Sequence, residues 1–202
     1  MRRTLAAVLA CLVLAACSST TPHSGSGTKD VSAGHVDVST PALRALRAKA
    51  GVAACRPGNA ASDLPKVTLP CLGGGRAVDL ATLRGPLVIN LFAQWCGPCR
   101  GELPYYQALH AKAKGTVRVL GVDYLDTQPA QALDLVRASG VTYPLLADPA
   151  GTLRTDFKIR GLPGVVLVDR SGKVTDVEFR VFRSYAELRG LVSRKLGVPL
   201  PA

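Results

Sequence analysis

The sequence predicts an α/β domain in which helices flank a central mixed sheet, with a hairpin extension on its N-terminal side. Three observations predict it. Leu87–Phe92 is a near-continuous apolar run broken only by Asn90, as suits a strand buried on both faces. Residues at helical spacing follow it, and then a second apolar run, Val117–Val122, so that strand, helix and strand form a parallel pair joined by a right-handed crossover. Farther along, Val165–Asp169 and Lys173–Val181 flank Ser171-Gly172, the pattern of an antiparallel hairpin, which makes the sheet mixed.

The 202 residues, 48% hydrophobic and 19% charged, exclude both a disordered tail and a polytopic membrane protein and allow one domain of ordinary size. The net charge of +11 favours anionic surfaces or acidic partners in general. Lys and Arg are scattered and no basic, aromatic-interleaved motif accompanies them, so no nucleic-acid partner is expected.

Arg2 and Arg3 precede an apolar stretch from Leu5 to Ala16. At about 12 residues and roughly 1.5 Å of rise each, it reaches only about 18 Å, too short to span a bilayer comfortably. Residues 1–16 therefore read as a signal peptide. Leu14-Ala15-Ala16-Cys17 resembles the lipobox of bacterial lipoproteins, which implies acylation of Cys17 and attachment to the extracytoplasmic face of the cell membrane; an ordinary secretory signal is the alternative. Residues 17–40, rich in Ser, Thr, Gly and Pro, read as a flexible tether in which His23 and His35 are solvated. Residues 41–62 carry a short helix, Pro41–Val52, and a loop; residues 63–202 form the domain.

Within the domain, Asp63–Leu72 and Ala77–Leu80 flank Gly73-Gly74-Gly75 as a hairpin. From Cys99, residues Leu103, Tyr106, His110 and Ala113 recur at helical spacing, with a kink expected near Pro104 and His110 at the core boundary. Ala130–Ser139 is the next helix, closed by Gly140, and Tyr143–Ala147 the next strand. After a break at Gly161–Pro163 and the second hairpin, Ser184 and Glu187 form a capping box that starts the last helix, which Gly197 and Pro199 end.

Trp95-Cys96-Gly97-Pro98-Cys99 stands where a buried strand meets a helix. Unpaired backbone N–H groups and the helix dipole stabilise a thiolate there, so Cys96 reads as a nucleophile of lowered pKa, with Cys99 one turn on as the resolving thiol. Gly97 keeps bulk away from the sulfur, Pro98 suits a first turn that needs no donor, and Trp95 covers the sulfur and shapes a docking surface. A zinc site would need a second ligand pair at matching spacing. Haem attachment would need His where Arg100 stands, so neither metal nor cofactor is expected.

From about Asp63 to Leu196 the chain resembles the thioredoxin-like superfamily, in its exported TlpA/ResA/CcmG branch. The residues that carry the resemblance are the run Leu87 to Cys99, then Glu102-Leu103-Pro104, then Gly161-Leu162-Pro163. It implies a cis-proline at Pro163 facing the dithiol, and a backbone platform at Leu162 that pairs with an extended substrate segment. Asn90 stands where thioredoxins carry a buried acid, and Asp126 matches an acid that the exported branch places after the next strand for proton transfer; a solvated turn residue is the other reading of Asp126. Gly164 departs from the hydroxyl residue usual after the cis-proline.

Cys55 and Cys71 read as a structural disulfide closing a loop of about 16 residues, or else as a second redox pair relaying electrons to Cys96. The function expected is reduction of disulfides in exported proteins, with the haem-site cysteines of apocytochrome c as the substrates implied by resemblance and a membrane dithiol carrier as electron donor. Oxidation of exported proteins, peroxide reduction and a redox-inert peptide-binding lipoprotein are the alternatives. For a peroxidase, the Thr and Arg wanted around a single peroxidatic Cys are replaced by Gln94-Trp95 before Cys96.

Overall fold

The computed structural model describes residues 36–202; the signal segment, Cys17 and the tether as far as His35 lie outside the described residues. In chain order the elements are α1 (Pro41–Ala50), β1 (Thr68–Leu69), β2 (Val78–Asp79), β3 (Leu87–Phe92), α2 (Gly97–Ala113), β4 (Arg118–Tyr124), α3 (Pro129–Ala138), β5 (Leu145–Asp148), β6 (Gly164–Val168), β7 (Val174–Glu178) and α4 (Tyr185–Leu196). Five strands form one sheet in the order β5-β4-β3-β6-β7, with β3, β4 and β5 parallel and β6 and β7 antiparallel to their neighbours. It is a thioredoxin-like fold.

All six residues of β3 are buried, as the unbroken apolar run requires of a central strand. Leu103, Tyr106 and Leu109 of α2 and Leu188, Leu191 and Val192 of α4 pack in one core with Val88 and Phe92. Ile89 and Leu91 point to a second core with Leu69, Val78, Leu146 and Val166. Strand alternation thus divides β3 between the two layers. The helix α2 runs on through Pro104 and ends at Lys114 in the left-handed region, φ +45°.

The hairpin extension is shorter than its sequence pattern: only Thr68↔Asp79 and Leu69↔Val78 pair. Residues 70–72 turn instead to the outer edge of β5, where Leu72 N–H donates to Leu145 O at 2.9 Å and Ala147 N–H donates to Pro70 O at 2.9 Å. An open strand edge in want of partners outcompetes a longer hairpin and is covered by it. Residues 36–40, expected to belong to the tether, pack on the domain: Val38 is buried, and its carbonyl accepts from Gly73 N–H at 2.8 Å. In α1, Thr40 Oγ1 caps Leu43 N–H at 3.2 Å, and Leu43 joins the same core as α2.

Two boundary shifts matter below. The apolar pattern ends β4 at Val122, but pairing continues through Asp123 and Tyr124, opposite Ala147 and Asp148 of β5, because the ladder is made by backbone groups that must be paired whatever the side chain. Strand β7 ends at Glu178, not Val181, so residues 179–183 leave the sheet before α4. At α4, Ser184 Oγ accepts from Glu187 N–H at 3.2 Å, while Glu187 Oε2 reaches the Arg183 N–H at 3.0 Å, one residue earlier than a standard capping box.

Cys55 and Cys71 are joined by a disulfide, Cα–Cα 5.9 Å, that fixes the loop after α1 to the segment on β5. Closing a loop of that size in the unfolded chain is worth about 3 kcal/mol in the chain-entropy model. Replacing both residues by Ser is expected to lower the urea-unfolding free energy by about that amount, whereas an unchanged midpoint would show that the edge hydrogen bonds alone hold the extension.

Candidate active site

The site is built where β3 ends and α2 begins. Leu91 of β3 pairs with Gly164 of β6, so the residues after Phe92 and those before Gly164 emerge at the same end of the sheet. This brings the Trp95–Cys99 turn and the Leu162-Pro163 loop together, and the Leu162–Pro163 peptide bond is cis. Cys96 and Cys99 are joined as a disulfide with Cα atoms 5.3 Å apart. Cys96 is the N-cap of α2: its Sγ accepts from the Cys99 backbone N–H at 3.3 Å. No acidic residue lies in the first turn of α2, so no side chain of that turn offsets the positive end of the helix at that sulfur.

In the disulfide form Cys96 is 4% exposed and Cys99 1%, so the outer sulfur presents a small area to solvent. Its surroundings are open: Trp95 is 53% exposed, and Gly97, Pro98 and Arg100 are exposed too. Gly97 has an ordinary negative φ, and a Cβ there would meet nothing within 4 Å, so the fold itself does not demand glycine. The Trp95 indole N–H donates to Leu125 O at 3.0 Å, which holds the ring toward the loop after β4. Arg100 donates to Gln94 O through Nε at 3.2 Å and Nη2 at 2.7 Å, closing the turn across the helix start.

Asp126 is buried, with Oδ2 accepting from Gln94 N–H and Oδ1 from Gln128 N–H, both at 2.8 Å. It is therefore an anchor of the turn before Cys96 and not a solvated turn residue. Asn90 is buried and donates to Tyr143 OH at 3.2 Å.

Three residues to which the sequence assigns no role also belong here. Glu102 lies one turn after Cys99 on the same face of α2, is buried, and accepts from Phe182 N–H. Burial raises its carboxyl to about 7, against the weaker opposing pull of that hydrogen bond and of Arg180. Asp123 is buried at the end of β4, and desolvation together with the neighbouring Asp126 pushes its carboxyl well above the usual range. Phe179, just beyond β7, lies so close over Gly164 that a Cβ there would sit 2.9 Å from its ring. The departure at Gly164 thus has a steric cause. No local pattern announces these contacts, which are made across strands or between distant segments.

A family model described as the AhpC/TSA family matches residues 60–177, more than half of the chain. The chain belongs to the AhpC/TSA family. Within it, the chain is similar to the thiol:disulfide interchange protein HelX of Rhodobacter capsulatus, 34% identical over 118 residues, 57% of this chain and 65% of HelX. It is also similar to the thiol-disulfide oxidoreductase ResA of Bacillus subtilis, 30% identical over 119 residues with the same shares. These place it in the TlpA/ResA/CcmG branch of the family. The chain spans a little under two thirds of the length of each of these two relatives. Among solved structures, MTB dsbF in its mixed oxidized and reduced forms superposes with a TM-score of 0.57 at 28% identity, covering 64% of this chain and 94% of that one.

Two expectations follow for this family member. Because the folded Glu102 carboxyl binds its proton more tightly than the unfolded one, its contribution to stability is full below about 4.5 and is lost as pH rises through about 7. Glu102→Gln should flatten the fall in unfolding free energy across that window; an unaltered slope would contradict the assignment. Gly164→Thr should destabilise by about 1–3 kcal/mol through overpacking against Phe179, and Phe179→Ala should recover most of the loss in the double variant, as thermal unfolding will report.

Proposed function

We propose that the chain is an exported thiol–disulfide oxidoreductase that reduces disulfides in protein partners. The observation that carries this reading is the Cys96 sulfur seated on the N-terminus of α2, hydrogen-bonded to the Cys99 N–H and within disulfide reach of Cys99. In the reduced protein the Cys96 thiolate attacks a partner disulfide, forming a mixed disulfide and releasing one partner thiolate. Cys99 then loses its proton and attacks the Cys96 sulfur, the second partner thiol departs, and the Cys96–Cys99 disulfide remains. Two electrons pass to the partner, and a membrane dithiol donor returns them.

The resolving step needs a proton acceptor. The family resemblance points to Asp126 for proton transfer, but both of its oxygens are committed to backbone N–H groups. Glu102, with a carboxyl poised at about 7 on the face of α2 that carries Cys99, suits the task better. Partner binding uses the exposed rim of Trp95, Gly97 and Pro98, with the Leu162 backbone beside Pro163 as the pairing edge. The Gly-Pro dipeptide between the cysteines favours reduction: thioredoxin, which carries the same dipeptide, stands at about −270 mV against about −120 mV for a strong oxidant. Haem-site cysteines of apocytochrome c are the substrates we favour, with acylated Cys17 as the membrane anchor.

The wild-type protein is expected to reduce insulin with a thiol donor, and Cys96→Ser to abolish turnover. Cys99→Ser should accumulate mixed disulfides with exported partners that dithiothreitol releases. Turnover undiminished in Cys96→Ser would overturn the oxidoreductase reading. Capture of assorted exported proteins without haem-site apoproteins would overturn the substrate assignment.

A further inference from the structure

The end of β4 carries a second acid that the reaction above does not use. Asp123 is 1% exposed, paired between Phe92 of β3 and Ala147 of β5. Its Oδ1 has no hydrogen-bond partner, and its carboxyl lies within hydrogen-bonding reach of Asp126. Two carboxylates in that arrangement cannot both be ionised in a dry site, and a proton on one of them turns mutual repulsion into a donated hydrogen bond.

The segment from Asp123 to Asp126 also carries the active-site turn. Asp126 accepts the Gln94 N–H, and Leu125, held at φ +50°, accepts the Trp95 indole N–H, so both residues before Cys96 hang from this one stretch. We propose that Asp123 and Asp126 share a single proton, held on Asp123 and donated to Asp126, and that the pair is a proton-dependent clamp on the turn that presents Cys96. Asp123 is thereby a positioning residue for the thiol. The proposal rests on the reading of Cys96 and Cys99 as the reacting dithiol.

The charged and titratable groups around the pair leave it uncompensated. Asp148 of β5 accepts from Thr152 N–H and Oγ1 and from Leu153 N–H. Arg154 acts on Tyr124, and Arg100 of α2 is bound to Gln94 O. Among the described residues no Lys or Arg forms an ion pair with Asp123 or Asp126. Loss of the shared proton as pH rises puts two adjacent charges under the turn, and the Asp126 bond to Gln94 N–H is the link that yields. Burial and Asp126 both raise Asp123 well above the usual carboxylate range, which favours its protonated form.

Trp95 is the single tryptophan of the chain and hangs on the clamp, so its fluorescence reads the clamp directly. Besides the band of Glu102, which ionises at about 7, infrared spectra of the full chain are expected to keep one protonated-carboxyl band above the usual carboxylate range. The band should vanish in Asp123→Asn and survive in Glu102→Gln. On further alkalinisation the band and the Trp95 emission should change together in the wild type, with the Trp95 step absent in Asp123→Asn. In a Cys99→Ser background, alkylation of Cys96 should show a second alkaline inflexion that Asp123→Asn removes. Absence of the band in the wild type, its survival in Asp123→Asn, or a Trp95 titration out of step with it overturns the proposal; so does a second alkylation inflexion that Asp123→Asn leaves intact. If Asp123→Asn does not fold, the joint titration of band and emission in the wild type still decides. A wild-type protein that shows the clamp titration but reduces no insulin sinks the oxidoreductase reading and leaves the clamp standing.

Discussion

The hydrogen bond from the Cys99 backbone N–H to the Cys96 sulfur is the interaction on which the rest of this molecule turns. A sulfur in that place feels the unpaired amides and the dipole of a 17-residue helix, and the helix is held there by Leu103, Tyr106 and Leu109 sunk into the core. Strand β3, buried on both faces, fixes the point from which the turn departs. Sheet, helix and turn thus form one mount that aims its amides at the outer sulfur.

Around that mount lie buried acids of different standing. Glu102 is buried against residues that follow β7, and burial raises its carboxyl to about 7. Asp126 accepts two backbone amides and shapes the turn. Asp123 has no amide to answer it and must resolve its burial with its neighbour. Three carboxyls within a small region therefore have three fates, set by what each side chain can hydrogen-bond to.

Much of the fold and of the dithiol is legible in the sequence because the signals are local. Leu87–Phe92 carries its burial in its own composition, and Ser184 with Glu187 marks a helix start by a pattern of four residues. The position of Cys96 before a helix is likewise a local statement. What sequence leaves hidden comes from distant segments. The hairpin at 63–80 is short because the free edge of β5 claims residues 70–72. Asp123 reads as the end of a strand because an acid interrupts an apolar run, and only the cross-strand partners Phe92 and Ala147 show that the strand continues. Gly164 is an unexplained departure until Phe179, 15 residues later, is placed over it. Glu102 stands within a motif of the resemblance, yet burial raises its carboxyl, and the groups that pull it back, Phe182 N–H and Arg180, lie far along the chain.

The most direct test of the account is the rate of iodoacetamide alkylation of Cys96 against pH in the reduced full-length protein, with free cysteine as the reference at about 8.5. A thiol mounted on the amides of α2 is expected to ionise well below that value and to react at neutral pH faster than its surroundings alone would allow. An inflexion at or above the value for free cysteine would contradict the claim that the helix N-terminus makes this sulfur the nucleophile.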